Sequence, residues 1–457
     1  MANTYITKTF GSAGNRKTWT MSAWIKRTQL ASGSDIRVFG WKSGGGNYGF
    51  QFDSDKFNFY VCSGGSNAQF KTNRVFRDTN AWYHIVASCD TTQNTQSDRF
   101  KIYINGVQET SFATATYPNL NEDTAVNQAE VCRLGCSTVA ENSYFDGLIS
   151  HAHFIDGTAY PASTFGLTDS TTGIWKIKTA PSVTYGTNGF FLLKDGNNLS
   201  GSTVSDQSGR GNNFTVGGGT LTNLKDNPSN IFASLNTLKI LGTTNRIISN
   251  NNTKFYTGTT HWGTMLSTLA FSSGKYYCEV KLDAIQASAG YGALGITDAT
   301  ENYQSNDNIT NQSSFSAGCV TDHRSGQSAC KSAGSTVSSN IGDFATNNDI
   351  VGIAADMDNK ALYLHKNGTY LQIGGVTGVP TSGSSKTGAI TIPATCKTCM
   401  FSISSYTTDC IKSVNFGNGY FGSTQISSAG TNASGIGIFE YDVPAGYTAL
   451  STKGLNL

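Results

Sequence analysis

Short runs in which every second residue is apolar dominate the start of the chain: WTMSAWIKR, IRVFGW, YGFQFD, KFNFYVC, AWYHIVASC and FKIYING, each bounded by Gly, Ser, Asn or Asp. A period of two belongs to strands with a buried face, and strands this short and closely spaced predict an all-β sandwich or barrel. In WTMSAWIK the alternation sets Trp19, Met21, Ala23 and Ile25 on one face, with Trp24 and Lys26 opposite. Apolar residues on both faces predict a central strand, or one covered by a loop.

A polar stretch, TATYPNLNEDTAVNQAE, separates these runs from VCRLGC and from YFDGLISHAHFIDG, which reads as a closing strand. From Pro161 to about Asn250 the pattern loosens into a turn-rich connecting region with a few strand-like pieces. Alternation resumes at KYYCEVKLDAI, YGALGITDA, DIVGIAADMDNKALYLHKNGTYLQI, MFSISSYTTDCIKSVNFG and FEYDVPAGYTAL. Residues 300–345 among them are rich in Ser, Asn and Gly and predict a long loop that binds or moves.

Two Asn-Gly pairs stand between apolar-alternating runs, in KIYINGVQET and in ALYLHKNGTYL. Each predicts a two-residue type I′ hairpin. Centred on Asn367 and Gly368, the turn sets Leu364 opposite Leu371 and Leu362 opposite Ile373, with Tyr363, His365 and Tyr370 on the other face. A one-residue slip would scatter the leucines, so the register is well specified. In the first half the same construction sets Ile104 opposite Val107, but Ile102 opposite Glu109.

At 457 residues the chain is too long for one core. With 51 Gly and much Ser, Thr and Asn, it disfavours helices. The net charge of +2 comes without a basic block, so no nucleic-acid partner is expected. Neither membrane insertion nor a secretory signal is expected, because no apolar run approaches the roughly 20 residues of a span and the start lacks an apolar h-region. That in turn predicts that most of the ten cysteines are free.

The candidate chemistry is sparse. Cys132 with Cys136 and Cys396 with Cys399 each resemble half of a zinc site, but neither has a second pair at zinc spacing. His151 and His153 share a strand face without an assignable third ligand, so they read as structural. No run of alternating carboxylates offers the paired acids of glycan hydrolysis. Asp53 and Asp55 come nearest and read as a surface turn or as weak calcium ligands. No phosphate-binding loop is present, and neither a metal nor another cofactor is expected.

The second half is similar to SPRY domains, through KYYCEVKL, YGALGI, DIVGIAADMDNKALYLHKNG, VNFGNGYF and VPAGYTAL in that order. The first half resembles laminin-G-like, concanavalin-A-type sandwiches, through TMSAWIK, AWYHIVASCD, KIYINGVQ, RLGCS and YFDGLISHAHFID. The D-x-S-G-x-G-N-N turn of such sandwiches usually lies near their first strand. Here it stands at Asp206 to Asn213, so Phe190 to Val216 is expected to pair with the first domain as a displaced strand.

These resemblances imply two antiparallel β-sandwiches, one jelly-roll or concanavalin-A-like (1–165) and one SPRY-like (250–457), joined by the connecting region (166–249). Together with SDQSGRGNNFTV and DNPSNIFASLNTL, the pairing looks like virion-surface proteins of tailed bacteriophages. The expectation is a non-enzymatic, homo-oligomeric spike, fibre or capsid decoration protein. It would be made in the host cytoplasm and displayed on the virion, bound to other virion proteins or to host-surface carbohydrate. A purely structural decoration protein and a glycan-degrading enzyme are the alternatives. Sandwich lectins take sugars with loop aromatics and Asn or Asp side chains. That points to Trp41, Asn47, Tyr48 and Asp53 in the first domain, and to Tyr303, His323 and Arg324 in the second.

Overall fold

The computed structural model describes residues 3–30, 36–62, 65–194, 199–239, 241–242, 245–285, 291–302, 316–322, 328–339, 341 and 346–456. The fold is all-β and antiparallel apart from one short parallel pairing and one isolated bridge, and it divides into two compact units, Met1–Asn223 and Leu224–Leu457.

The first unit is built from β1 (Tyr5–Thr9), β2 (Thr18–Arg27), β3 (Ile36–Ser43), β4 (Gly46–Asp53), β5 (Lys56–Tyr60), β6 (Gln69–Val75), β7 (Trp82–Asp90), β8 (Phe100–Ile104) and β9 (Val107–Gln108). There follow β10 (Phe112–Thr116), β11 (Val131–Leu134), β12 (Gly147–Asp156), β13 (Gly166–Thr168), β14 (Trp175–Ile177), β15 (Phe190–Leu192), β16 (Leu199–Ser200), β17 (Thr203–Val204) and β18 (Phe214–Gly218). A ten-stranded sheet runs β10-β6-β5-β4-β3-β11-β1-β18-β17-β16, and a six-stranded sheet runs β15-β12-β2-β7-β8-β9. Their inner faces share one core, in which Trp19, Met21, Ala23 and Ile25 of β2 meet Phe39 and Trp41 of β3 and Phe50 of β4. β2 is the central strand its two apolar faces predict.

The expected connecting region is divided between the two units. Phe190 and Phe191 pair with Phe154 and His153 of β12, and Thr215 and Val216 pair with Thr7 and Ile6 of β1. The displaced segment therefore pairs with the first domain through two of its four strands, β15 in one sheet and β18 in the other. The Asp206 turn joins them. Asp206 Oδ1 accepts from Phe191 N (2.8 Å) and Ser208 N (2.9 Å), Oδ2 from Asn212 N (2.9 Å), and Phe214 enters the core.

Both Asn-Gly hairpins form. Asn105 and Gly106 have φ of 48° and 82°, and Asn367 and Gly368 have 48° and 84°, as a type I′ turn requires. Leu371 N donates to Leu364 O at 2.9 Å, while Leu362 and Leu364 lie in the core of the second unit. The pairing stops there. Leu362 is opposite Ile390, because a turn at Gly374 and Gly375 folds Ile373 back onto Val376.

In the second unit the strand Lys275–Ala284 lies between Ile411–Asn415 and Ile350–Asp356. A second sheet, which includes Tyr291–Asp298 and Cys399–Ser405, supplies Leu294, Ile296, Phe401 and Ile403 to the same core. Among the described residues of the stretch expected as a loop at 300–345 there are three strands, Ser316–Asp322, Ala329–Ser332 and Ser335–Ser339. Cys319 and Cys330 face each other across two of these strands and are bridged, as are Cys396 and Cys399. The other six cysteines are free and buried, so the expectation of free thiols holds for those six.

Candidate binding face

The run WKSGGGNYGFQFD forms the β3–β4 hairpin, with the chain reversing at Gly44 and Gly45 between paired Ser43 and Gly46. Strand parity then sorts the residues singled out above. Trp41 and Tyr48 pair across the hairpin and both face inward. Trp41 is 0% exposed, its ring 4.4 Å from that of Phe154, and Tyr48 is 7% exposed. Neither can stack on a ligand at the surface, which corrects the expectation for both. Asn47 and Asp53 point outward. Asn47 Oδ1 accepts from Thr138 N and Oγ1, and Nδ2 donates to Ser137 Oγ at 2.9 Å, so it pins the segment that follows β11. Asp53 accepts from Lys71 Nζ at 2.5 Å, and that bond holds its carboxyl below the usual range against the opposing effect of burial. Tyr303, His323 and Arg324 lie outside the described residues.

The face that sequence reasoning missed is the outer side of β3–β6. In KFNFY, Phe57 and Phe59 fill the core, which turns Asn58 and Tyr60 outward. Across the ladder Arg37, Gln51, Asn58 and Lys71 make one row, and Gly40, Gly49, Tyr60 and Gln69 make the next. The rows put three carboxamides beside a tyrosine, with the Arg37 guanidinium 5.8 Å from the Tyr60 ring centroid. Asn58 Oδ1 accepts from Gln69 Nε2 at 3.1 Å. Its Nδ2 is buried and has no hydrogen-bond partner among the described residues. Asn58 is fully buried, so that donor is closed to solvent and the residue serves to hold Gln69.

Asp53 is the one carboxylate among these face residues. Hydrolysis of a glycosidic bond uses two carboxyl groups about 5 to 9 Å apart. What the face offers instead is hydrogen bonding by neutral amides and one aromatic surface.

His151 and His153 are accounted for by packing. The His153 ring lies 3.9 Å from Phe191, with Nδ1 at 2.9 Å from Tyr185 Oη, and His151 Nδ1 is 2.8 Å from Ser150 Oγ. Among the described residues no group of three or more His, Cys, Asp or Glu is arranged to hold a metal ion. No helix among the described residues is long and apolar enough to cross a membrane.

Residues 2–162 match the sequence profile of a laminin-G family described as the concanavalin A-like lectin/glucanases superfamily. Among solved structures, the SPRY domain of human HERC1 aligns at 11% identity and a TM-score of 0.29, over 40% of this chain and 96% of that one. The TRIM65 PSpry domain aligns at 10% identity and a TM-score of 0.28, over 40% of this chain and 87% of that one. No curated protein matches the chain.

Proposed function

We propose that this chain is a non-catalytic binding protein whose first sandwich takes carbohydrate on the outer face of its ten-stranded sheet. The partial exposure of Tyr60 and Gln69 next to Asn58 carries the reading: Asn58 is fully buried and holds Gln69 Nε2 at 3.1 Å, which leaves the two residues at the surface to meet a ligand. Tyr60 and Gln69 offer the ring surface and the amide that recognition of a hydroxylated ring uses. The profile match over residues 2–162 supports a binding fold of the kind lectins use. The pairing of Asp53 with Lys71 supports a role without glycosidic cleavage.

The setting we propose is the surface of a tailed-bacteriophage virion, with the chain as a homo-oligomer and host-surface glycan or other virion proteins as its partners. The sequence resemblance supports that setting. A purely structural decoration role is the second reading, favoured by the burial of Trp41 and Tyr48.

Glycan-array screening followed by calorimetry on the best hit tests the proposal. Tyr60→Ala and Gln69→Ala are expected to weaken binding at least tenfold while leaving the melting temperature within a few degrees. Absence of binding to any glycan, or unchanged affinity in both variants, overturns the carbohydrate reading and leaves the decoration role.

A further inference from the structure

The six-stranded sheet has an outer face of a different kind. Ser22 and Trp24 of β2, His84 and Val86 of β7, Tyr103 of β8, and His153 and Ile155 of β12 all lie on it. Residues 161–184 cross over this face and bury Ala162 and Phe165 against Val86 and Ile155, with Trp175 and Tyr185 packed alongside. The crossing segment is fixed at both ends. Tyr160 N donates to Thr20 Oγ1 at 2.8 Å, and Tyr185 O accepts from Asp156 N at 2.9 Å. Between those ends, among the described residues, one hydrogen bond joins it to the sheets: Trp175 Nε1 to His84 Nδ1, at 3.0 Å.

That bond settles the state of His84. An indole N–H can only donate, so Nδ1 is the acceptor and the imidazole proton sits on Nε2, which donates to Ser22 Oγ at 2.9 Å. The ring is fully buried, 4.8 Å from Trp24 on one side and 6.0 Å from Trp175 on the other. A second proton has to go onto Nδ1, the atom that holds Trp175. Protonation would set N–H against N–H, so a charged His84 and a docked Trp175 exclude each other.

We propose that residues 161–184 form an acid-released strap, latched over the outer face of the six-stranded sheet by Trp175 on His84.

Among the described residues no acidic group bears on the latch to offset a charged ring. Ser22 and Trp24 face it from β2 and Trp175 from the strap, while Asn105 Oδ1 accepts the backbone N–H of His84 at 2.8 Å. His151 of β12 adds like charge when protonated. Burial is the larger cause, and together they push His84 down to about 3. His153 touches the Phe165 ring of the strap and Tyr185 at its end. It is also held well below its ordinary value, by burial first and then by His151, His84 and Lys194. Asp206 bears on Tyr185 rather than on either imidazole.

Release returns a histidine to an ordinary pKa of about 6.5. The docked strap is therefore favoured above that pH and loses support as pH falls from about 6.5 toward 3. His84 alone raises the opening equilibrium by up to about tenfold per pH unit in this window, or about 100-fold at pH 4.5, and His153 acts with the same sign. Opening uncovers Val86, Tyr103 and Ile155, an apolar face hidden at neutral pH.

Hydrogen exchange of the full-length protein at pH 7.5, 6.0 and 4.5, corrected for intrinsic exchange rates, tests the proposal. Peptides from 161–184 are expected to lose protection by about 100-fold or more at pH 4.5. Peptides from β2 and β7 should stay protected, and neutralisation should restore the strap. Trp175→Phe keeps a ring but removes the donor, and is expected to open at higher pH than the parent. If that variant does not fold, the unmodified protein still decides. Strap protection that does not change with pH, or that is lost only together with that of β2 and β7, overturns the proposal.

Discussion

Tyr277 and Glu279, two residues apart on one strand of the second unit, are joined by a hydrogen bond from the tyrosine hydroxyl to Glu279 Oε1 at 3.2 Å. His365 Nδ1 accepts from Gly368 N at 3.1 Å, so its Nε2 bears the proton and donates to Tyr277 Oη at 2.6 Å. The Asn-Gly hairpin is thereby tied to a buried carboxylate. Glu279 also accepts from the backbone N–H groups of Glu440 (2.9 Å) and Tyr441 (2.8 Å), which fastens the 440–441 segment to the sheet. No cation offsets the charge among its bonded partners, and burial pushes the carboxyl up to about 7.

Stability should therefore depend on pH through Glu279. Its proton is held more tightly in the folded chain than in the unfolded one, where the pKa is about 4.3. Its contribution is fully present below that value and is lost as pH rises through 7, by on the order of 3 kcal/mol. Urea unfolding of the parent and of Glu279→Gln at pH 5 and pH 8 checks this. The parent should lose more stability than the variant between the two conditions, and equal losses would refute the assignment.

The two hairpins should differ in what they contribute to stability. Leu364 is 2% exposed in the core, whereas Val107 is 65% exposed. Leu364→Ala is expected to cost about 2–5 kcal/mol. Val107→Ala should stay within about 0.5 kcal/mol. Thermal and chemical denaturation separate the two outcomes.

Trp41 should behave as a core residue and Tyr60 as a half-buried one. Trp41→Ala is expected to destabilise the first unit by about 3–5 kcal/mol. Any loss of binding it causes should follow loss of structure in circular dichroism. Loss of binding by Trp41→Ala in a fully stable protein would contradict the burial of the ring.

Thiol counting checks the cysteine assignment. All six free cysteines are buried, and the other four form two bridges. Ellman titration should find almost no reactive thiol in the native protein and six after denaturation without reductant. All ten should appear once reductant is added. Ten thiols without reductant would remove both bridges.

Much of the local structure was legible along the chain. Period-two alternation marks the strands of both units, Asn-Gly sets both turns, and the register at Leu364 follows from the turn because backbone conformation there is a local property. The candidate face was half legible. The glycines of WKSGGGNYG read as a loop, but only Gly44 and Gly45 turn, and the ladder continues through Trp41 and Tyr48. Once the run is a hairpin, parity sends both rings inward with Phe39 and Phe50.

The sequence by itself determined the alternating strands, both Asn-Gly turns and the presence of two apolar faces on β2, but not the three strands within 316–339. Only the tertiary structure decided what covers the second face and which neighbouring outward rows bring Asn58 beside Tyr60 and Gln69. It alone also decided that Cys319 meets Cys330 and that the segment expected to pair with the first domain divides between its two sheets. Those are meetings of distant segments. Alternation fixes which residues share a face, but the partner of that face depends on how the whole chain packs, and no local pattern carries that information.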